Sequence, residues 1–297
     1  MEHMENGIPN TGSKHFYYKH SGAFSPIGIM IILVTGLIGT SILSTIYGFA
    51  SLYIPFIYIN FLLTAGLGFG TGSLIGFGAK IGKLRNTTIL TLLSLIFGIF
   101  VLYSSWVIWL FVLFERELLL FNPLHIISAI EFLAIEGAWE MFGFVPTGLF
   151  LYAIWLLEAI VIIGASVFGA RSFLSGVAFC EDCNSWAKYT YVLPPLQHST
   201  NHEFLRNMLE QGNFSVLSEL KEADNSAFFT SVQLSGCNEC SNFFLLSVTS
   251  IENTKDSKGE DKTKATQIIE NLIIDKKEFD SIKEWGENSV QANVNLA

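Results

Sequence analysis

Residues 26–47 read PIGIMIILVTGLIGTSILSTIY, an apolar run with no charge anywhere in it. At 1.5 Å per residue such a helix crosses the roughly 30 Å of hydrocarbon in a bilayer. A buried core helix needs no more than about 14 uninterrupted apolar residues, so the length argues for a membrane span. A cleaved signal peptide would carry a shorter apolar core and a small-residue cleavage site. Here further apolar sequence follows instead.

Working outward, not one Asp, Glu, Lys or Arg lies between Lys19 and Lys80, and residues 86–114 are likewise uncharged. Residues 141–170 carry only Glu158. Spans are expected at 26–47, 55–76, 89–110 and 146–168. The chain of 297 residues is 51% hydrophobic and only 14% charged, and most of its charge lies after Arg171. The expected fold is therefore an α-helical membrane bundle of four transmembrane helices followed by a small cytosolic α+β domain. The boundaries are an N-terminal segment at 1–24, the membrane domain at 25–170 and the soluble domain at 171–297.

Basic residues set the expected orientation, since short cytosolic loops are enriched in Lys and Arg. Lys14 and Lys19 precede the first span, Lys80, Lys83 and Arg85 join the second to the third, and Arg171 follows the fourth. The loop between spans three and four holds Glu115, Glu117, Glu131, Glu136 and Glu140 against Arg116 alone. Both termini are expected in the cytosol. Within that outer loop, residues 123–143 read as an amphipathic or re-entrant helix, with Ile126, Ile127, Ile130 and Leu133 at helical spacing. His125, Glu136 and Glu140 fall towards its polar side, where solvated carboxylates are the plain reading and a cation site the sharper one.

The second span carries Gly68, Gly72 and Gly76 at intervals of four, a stripe that lets helices approach closely. It serves either packing inside the bundle or a functional role, self-association into a homo-oligomer or a thin-walled pathway. Glu158 lies within the fourth span. A charged, unpaired carboxylate there costs several kcal/mol, so the expectation is a neutral side chain turned to Asn60, Thr64, Ser94, Ser104, Ser105 or water. A structural hydrogen bond and a proton- or cation-linked role are both open.

All four cysteines follow the last span, as Cys180-Glu-Asp-Cys183 and Cys237-Asn-Glu-Cys240. Two residues between cysteines let both sulfurs reach one metal. A strand-like stretch follows each pair, at 189–193 and 244–251, and 228–234 with 244–251 should form a hairpin around the second pair. This arrangement resembles the two knuckles of a zinc ribbon. The resemblance covers the knuckles and their strands only, and implies one structural Zn²⁺ held by Cys180, Cys183, Cys237 and Cys240 with no open coordination position. Disulfides are disfavoured in a reducing cytosol, and no thioredoxin-like βαβ pattern accompanies either pair.

Ordinary ribbons separate their pairs by about 15–20 residues. The longer insert here should hold helices, with a capping box at 200–203 and a second helix around 214–223. His198 and His202, four apart, read as part of that helix start rather than as ligands. After Asn184, which tolerates a left-handed backbone, the matching position in the second knuckle is Ser241. Residues 252–266 read as a mobile loop, 267–274 as a strand, 276–285 as an amphipathic helix and the last ten or so as disordered.

From Arg171 onwards there are 11 bases and 18 acids, a net charge of −7. Phosphate attraction needs the opposite sign, so nucleic acid is excluded as a partner. No nucleotide loop, catalytic triad or metalloprotease helix is present. Three functions fit: a membrane-anchored binding or scaffold protein whose zinc domain recruits a cytosolic protein, an oligomeric transporter or channel component using Glu158 and the glycine-rich span, and a membrane enzyme with an outer acidic site.

Overall fold

The computed structural model describes residues 16–54, 56–140, 143–223, 227–240, 242–255 and 261–294. It divides into two compact units. One runs from Ser21 to Ser175, and the other joins the residues up to His20 to those from Gly176 onward.

The first unit holds four helices long and apolar enough to cross a membrane. They are α1 (Pro26–Tyr53), α2 (Ile57–Ile81), α3 (Thr87–Leu113) and α5 (Gly148–Leu174), with the shorter α4 (Pro123–Glu136) between the last two. Each exceeds its expected span by several residues. Local chemistry fixes where they begin. Ser25 caps α1 with Pro26 in the first turn, where the missing N–H of proline is harmless. Asn86 accepts from Ile89 N at 2.9 Å to cap α3, and Asn122 accepts from Leu124 N at 2.9 Å ahead of Pro123 in α4. The expected start of the second span, Pro55, lies outside the described residues, and so does Lys14.

Helix α4 stops earlier than residues 123–143 suggest, because Gly137 turns the chain at φ 90°. Met141 and Phe142 lie outside the described residues. Its 14 residues cover about 21 Å, too little to cross a bilayer. Ile126 and Leu133 bury against Val107 and Leu110 of α3, while Leu124, Ile127, Phe132 and Ile135 are exposed. The expected polar face is thus a mixed one, with apolar side chains around His125 and Glu136.

The second unit begins with a two-stranded hairpin, β1 (Phe179–Cys180) with β2 (Ser185–Trp186). An antiparallel sheet follows, built from β3 (Tyr189–Val192), β4 (Leu196–Gln197), β5 (Phe228–Gly236), β6 (Phe244–Lys255) and β7 (Asp261–Ile274). Its order is β3-β5-β6-β7, with β4 also on β5. Alternate residues of β5, Thr230, Val232 and Leu234, are buried, as a one-sided sheet requires. Helices α6 (His202–Glu210), α7 (Ser215–Glu219) and α8 (Lys276–Val294) supply Leu205, Leu209, Leu217, Phe279 and Ile282 to the same core.

Four expectations are corrected here. The cap of α6 is Asn201, whose side chain accepts from Phe204 N at 3.0 Å, rather than a box starting at Thr200. The second insert helix is only Ser215–Glu219. Strands β6 and β7 continue through most of the stretch read as a loop, pairing as far as Lys255 with Asp261, while 256–260 lie outside the described residues. This outer ribbon is largely exposed, so it lacks an apolar stripe. Polar cross-strand pairs hold it instead, such as Lys264 with Glu252 at 3.3 Å and Thr263 Oγ1 with Asn253 Oδ1 at 2.7 Å. Helix α8 extends to Val294 through most of the tail expected to be disordered, and 295–297 lie outside the described residues.

Of the N-terminal segment at 1–24, residues 16–18 pair with β7. Tyr18 N donates to Asn271 O at 2.8 Å and Ile273 N to Phe16 O at 2.9 Å.

Candidate metal centre and membrane cavity

Each cysteine pair sits in a turn that the sheet makes obligatory. In the first, Asn184 at φ 48° reverses the chain between β1 and β2, a conformation asparagine tolerates better than most residues. The second occupies the β5–β6 connection, closed by Cys237 N donating to Phe243 O at 3.1 Å. Ser241, the counterpart of Asn184, lies outside the described residues.

The four Sγ atoms all lie within 4.8 Å of one another, and Cys180 and Cys240 approach to 3.6 Å. A tetrahedral Zn²⁺ with bonds of about 2.3 Å would hold its sulfurs about 3.8 Å apart. The cysteines are free, with Cys180 and Cys237 buried and the other two half-buried. Their titration reflects the crowding. Burial pushes the Cys180 thiol up, and the neighbouring Cys240 thiol pushes that of Cys183 up further. For Cys237 burial acts the same way, but the N–H groups of Glu239 and Cys240 outweigh it and leave the thiol at about 7. Backbone donors aimed at a sulfur favour the thiolate, which is the form a metal takes.

An N-terminal residue braces this site, which sequence reading missed. Tyr18 Oη accepts from Phe179 N at 2.9 Å, next to Cys180, and its ring meets Phe243 edge-on at 5.6 Å. A short aromatic run ahead of a span gives no local sign of a partner more than 150 residues away.

His198 and His202 lie beside one another, rings 6.0 Å apart, with His198 Nδ1 3.1 Å from Ser250 Oγ. Among the described residues, the metal-capable grouping is the four cysteines, and neither these histidines nor His125, Glu136 and Glu140 belong to one. His125, Glu136 and Glu140 are exposed.

In the membrane unit, Glu158 accepts a hydrogen bond from Tyr47 Oη of α1. Tyr47 also meets Thr64 Oγ1 of α2 at 3.1 Å, so that expected partner is reached only through the tyrosine. Asn60 is engaged elsewhere, its Nδ2 donating to Ile54 O at 3.2 Å. Ser94, Ser104 and Ser105 donate to carbonyls of their own helix at 2.7, 2.7 and 2.8 Å. Tyr47 escaped notice because it marked the expected end of span one, whereas α1 continues to Tyr53. Glu158 and Tyr47 line a cavity of about 790 Å³ shared by all four long helices.

The glycine stripe is consumed inside the bundle. A methyl group on Gly68 would strike Ile162 O and Ala165, one on Gly72 would strike Ser166 O, and one on Gly76 would strike Phe173. All of these belong to α5.

No family model, curated protein or solved structure matches this chain. Fold and site together define a protein with four helices long and apolar enough to cross a membrane, and a four-cysteine cluster that could hold a metal ion.

Proposed function

We propose that the chain is a four-span membrane protein, both termini in the cytosol, whose Cys180, Cys183, Cys237 and Cys240 hold one structural Zn²⁺. The zinc-braced domain then serves as a membrane-anchored binding module for a cytosolic protein. The observation that carries this reading is the convergence of four sulfurs from two knuckles, with Cys180 and Cys240 in contact although 60 residues apart in sequence. Four thiolates saturate a tetrahedral ion, so the metal would stabilise the domain rather than act on a substrate. The orientation is supported by Lys19, Lys80, Lys83, Arg85 and Arg171 falling at the same ends of the four spans.

The test is metal content and thiol count on the full-length protein purified in detergent. One zinc per chain, with four thiols released on chelation, is the expected result. Partner capture from membranes should then fall with Cys180→Ser and Cys237→Ser. Metal-free protein, or capture indifferent to both substitutions, would remove the reading. A second reading rests on the cavity around Glu158, which suits handling of a small ligand within the membrane.

A further inference from the structure

Where α2 presents Gly68, Gly72 and Gly76, it touches the backbone of α5. Towards the other end Tyr58 and Phe61 of α2 and Phe150, Ile154 and Leu157 of α5 line the cavity. Tyr58, Phe61, Phe150 and Leu157 are each more than half exposed. A molecule dissolved in the bilayer can therefore reach the cavity sideways.

Its walls are largely aromatic and its ionisable side chains are carboxyls and tyrosines. Trp106 of α3 lies edge-on to Trp109 at 5.6 Å and to Trp155 of α5 at 5.1 Å, and all three line the space. Glu158 and Glu140 line it as well, and among the described residues no Lys, Arg or His does. Asn60 lines the same space, and its Oδ1 is buried without a hydrogen-bond partner.

From this arrangement we infer that the cavity binds a hydrophobic organic cation, an alkyl- or aryl-substituted onium, with its charge against Glu158 and its apolar body among the tryptophans. Indole faces attract cations, more so when water is excluded. An intramembrane carboxylate is costly alone and much less so beside a counter-charge. An apolar chamber with a few convergent polar groups is the usual form of a small-molecule site, and its volume lies in the usual range of about 300–1,000 Å³. An anion would face two carboxyl groups and no cationic donor.

Protons compete with the cation for Glu158. The titratable groups that line the cavity with it are Tyr47 from α1, which it contacts, Tyr58 from α2 and Glu140 from the α4–α5 connection, while α3 contributes only Ser105 and tryptophans. Binding should therefore weaken on acidification. None of this depends on the metal centre.

The experiment is equilibrium dialysis of labelled tetraphenylphosphonium against the full-length protein in lipid nanodiscs, at about pH 8 and about pH 5. Tetraphenylborate, of the same shape and opposite charge, is the control. The expected result is saturable binding of the cation only, weaker at the lower pH and reduced roughly tenfold or more in Glu158→Gln. Ile154→Trp, which fills the chamber without touching its charge, should reduce it as far. Size-exclusion profile and thermal melting report whether each variant is folded, and if Glu158→Gln is not, Ile154→Trp and the pH comparison decide. Absence of saturable binding, equal binding of the borate, or variants that bind like the parent would overturn the inference.

Discussion

The two units solve opposite packing problems. In the helical unit the inward face of α1 is Gly28, Ile32, Gly36, Gly39, Thr40, Ser44, Tyr47 and Gly48, six of the eight small, while Ile27, Met30, Leu37, Ile42 and Ile46 face outward. In the sheet unit Val232, Leu234, Leu246 and Val248 are fully buried, and the charges lie outside. Water drives apolar side chains inward in one case. Lipid supplies no such force, so small residues that permit close contact go inward in the other. Even the buried hydroxyls differ in use. Thr40, Ser44 and Ser166 donate to carbonyls of their own helices, whereas Thr230 Oγ1 in the sheet ties Gln197 and Ser199 across strands.

The largest expected effect tests whether the units stand apart. Chelation, or Cys237→Ser, should melt the knuckles, since apparent zinc-binding energies in small domains run to about 10–16 kcal/mol. Hydrogen exchange should quicken around residues 179–186 and 236–244 while the long helices keep their circular dichroism. Loss of helix signal as well would break the comparison.

Next comes a pair of identical substitutions. Leu246→Ala, in the sheet core, should cost about 2–5 kcal/mol in urea unfolding. Leu37→Ala, on an outward face of α1, should shift stability in detergent by no more than about 0.5 kcal/mol. Equal costs would mean that Leu37 is buried in a larger assembly. The glycines sharpen the same point. Gly72→Ala forces a methyl into the α5 backbone and should destabilise the bundle by about 1–3 kcal/mol. Gly66 faces open space, so Gly66→Ala should be neutral or stabilise by up to about 1 kcal/mol. Differential unfolding in mixed detergent would read both.

The smallest effect concerns the N-terminal strap. Tyr17 Oη donates to Glu210 Oε1 at 2.6 Å. Burial first, and then that carboxylate, push its phenol from 10.0 up to about 12. The fold thus favours the neutral phenol. Its contribution is whole below about pH 10 and is lost as pH rises towards 12. Tyr17→Phe should lower Tm slightly at neutral pH and flatten this alkaline loss, as thermal melts across that range would show.

Much of the architecture was legible because the signals are local. An uncharged apolar run is a span by length alone, and two Cys-x-x-Cys pairs name their own chemistry. The β5–β6 hairpin around the second knuckle also followed from its alternating strands. The outer ribbon of β6 and β7 did not, because largely solvated strands need no apolar alternation. Helix ends were misplaced by a few residues, since a bilayer sets a minimum length for a span and no maximum.

The sequence by itself determined the four long helices, the place of the carboxyl group among them and the pairing of cysteines within each knuckle. These depend on composition within one turn or one strand. Only the tertiary structure decided that the two knuckles converge, that Tyr18 braces them and that Tyr47 meets Glu158. It also decided that the glycine stripe serves α5, and that residues of all four long helices line one cavity. Each of these joins residues far apart in sequence, and their contact exists only once the intervening chain has closed its loops.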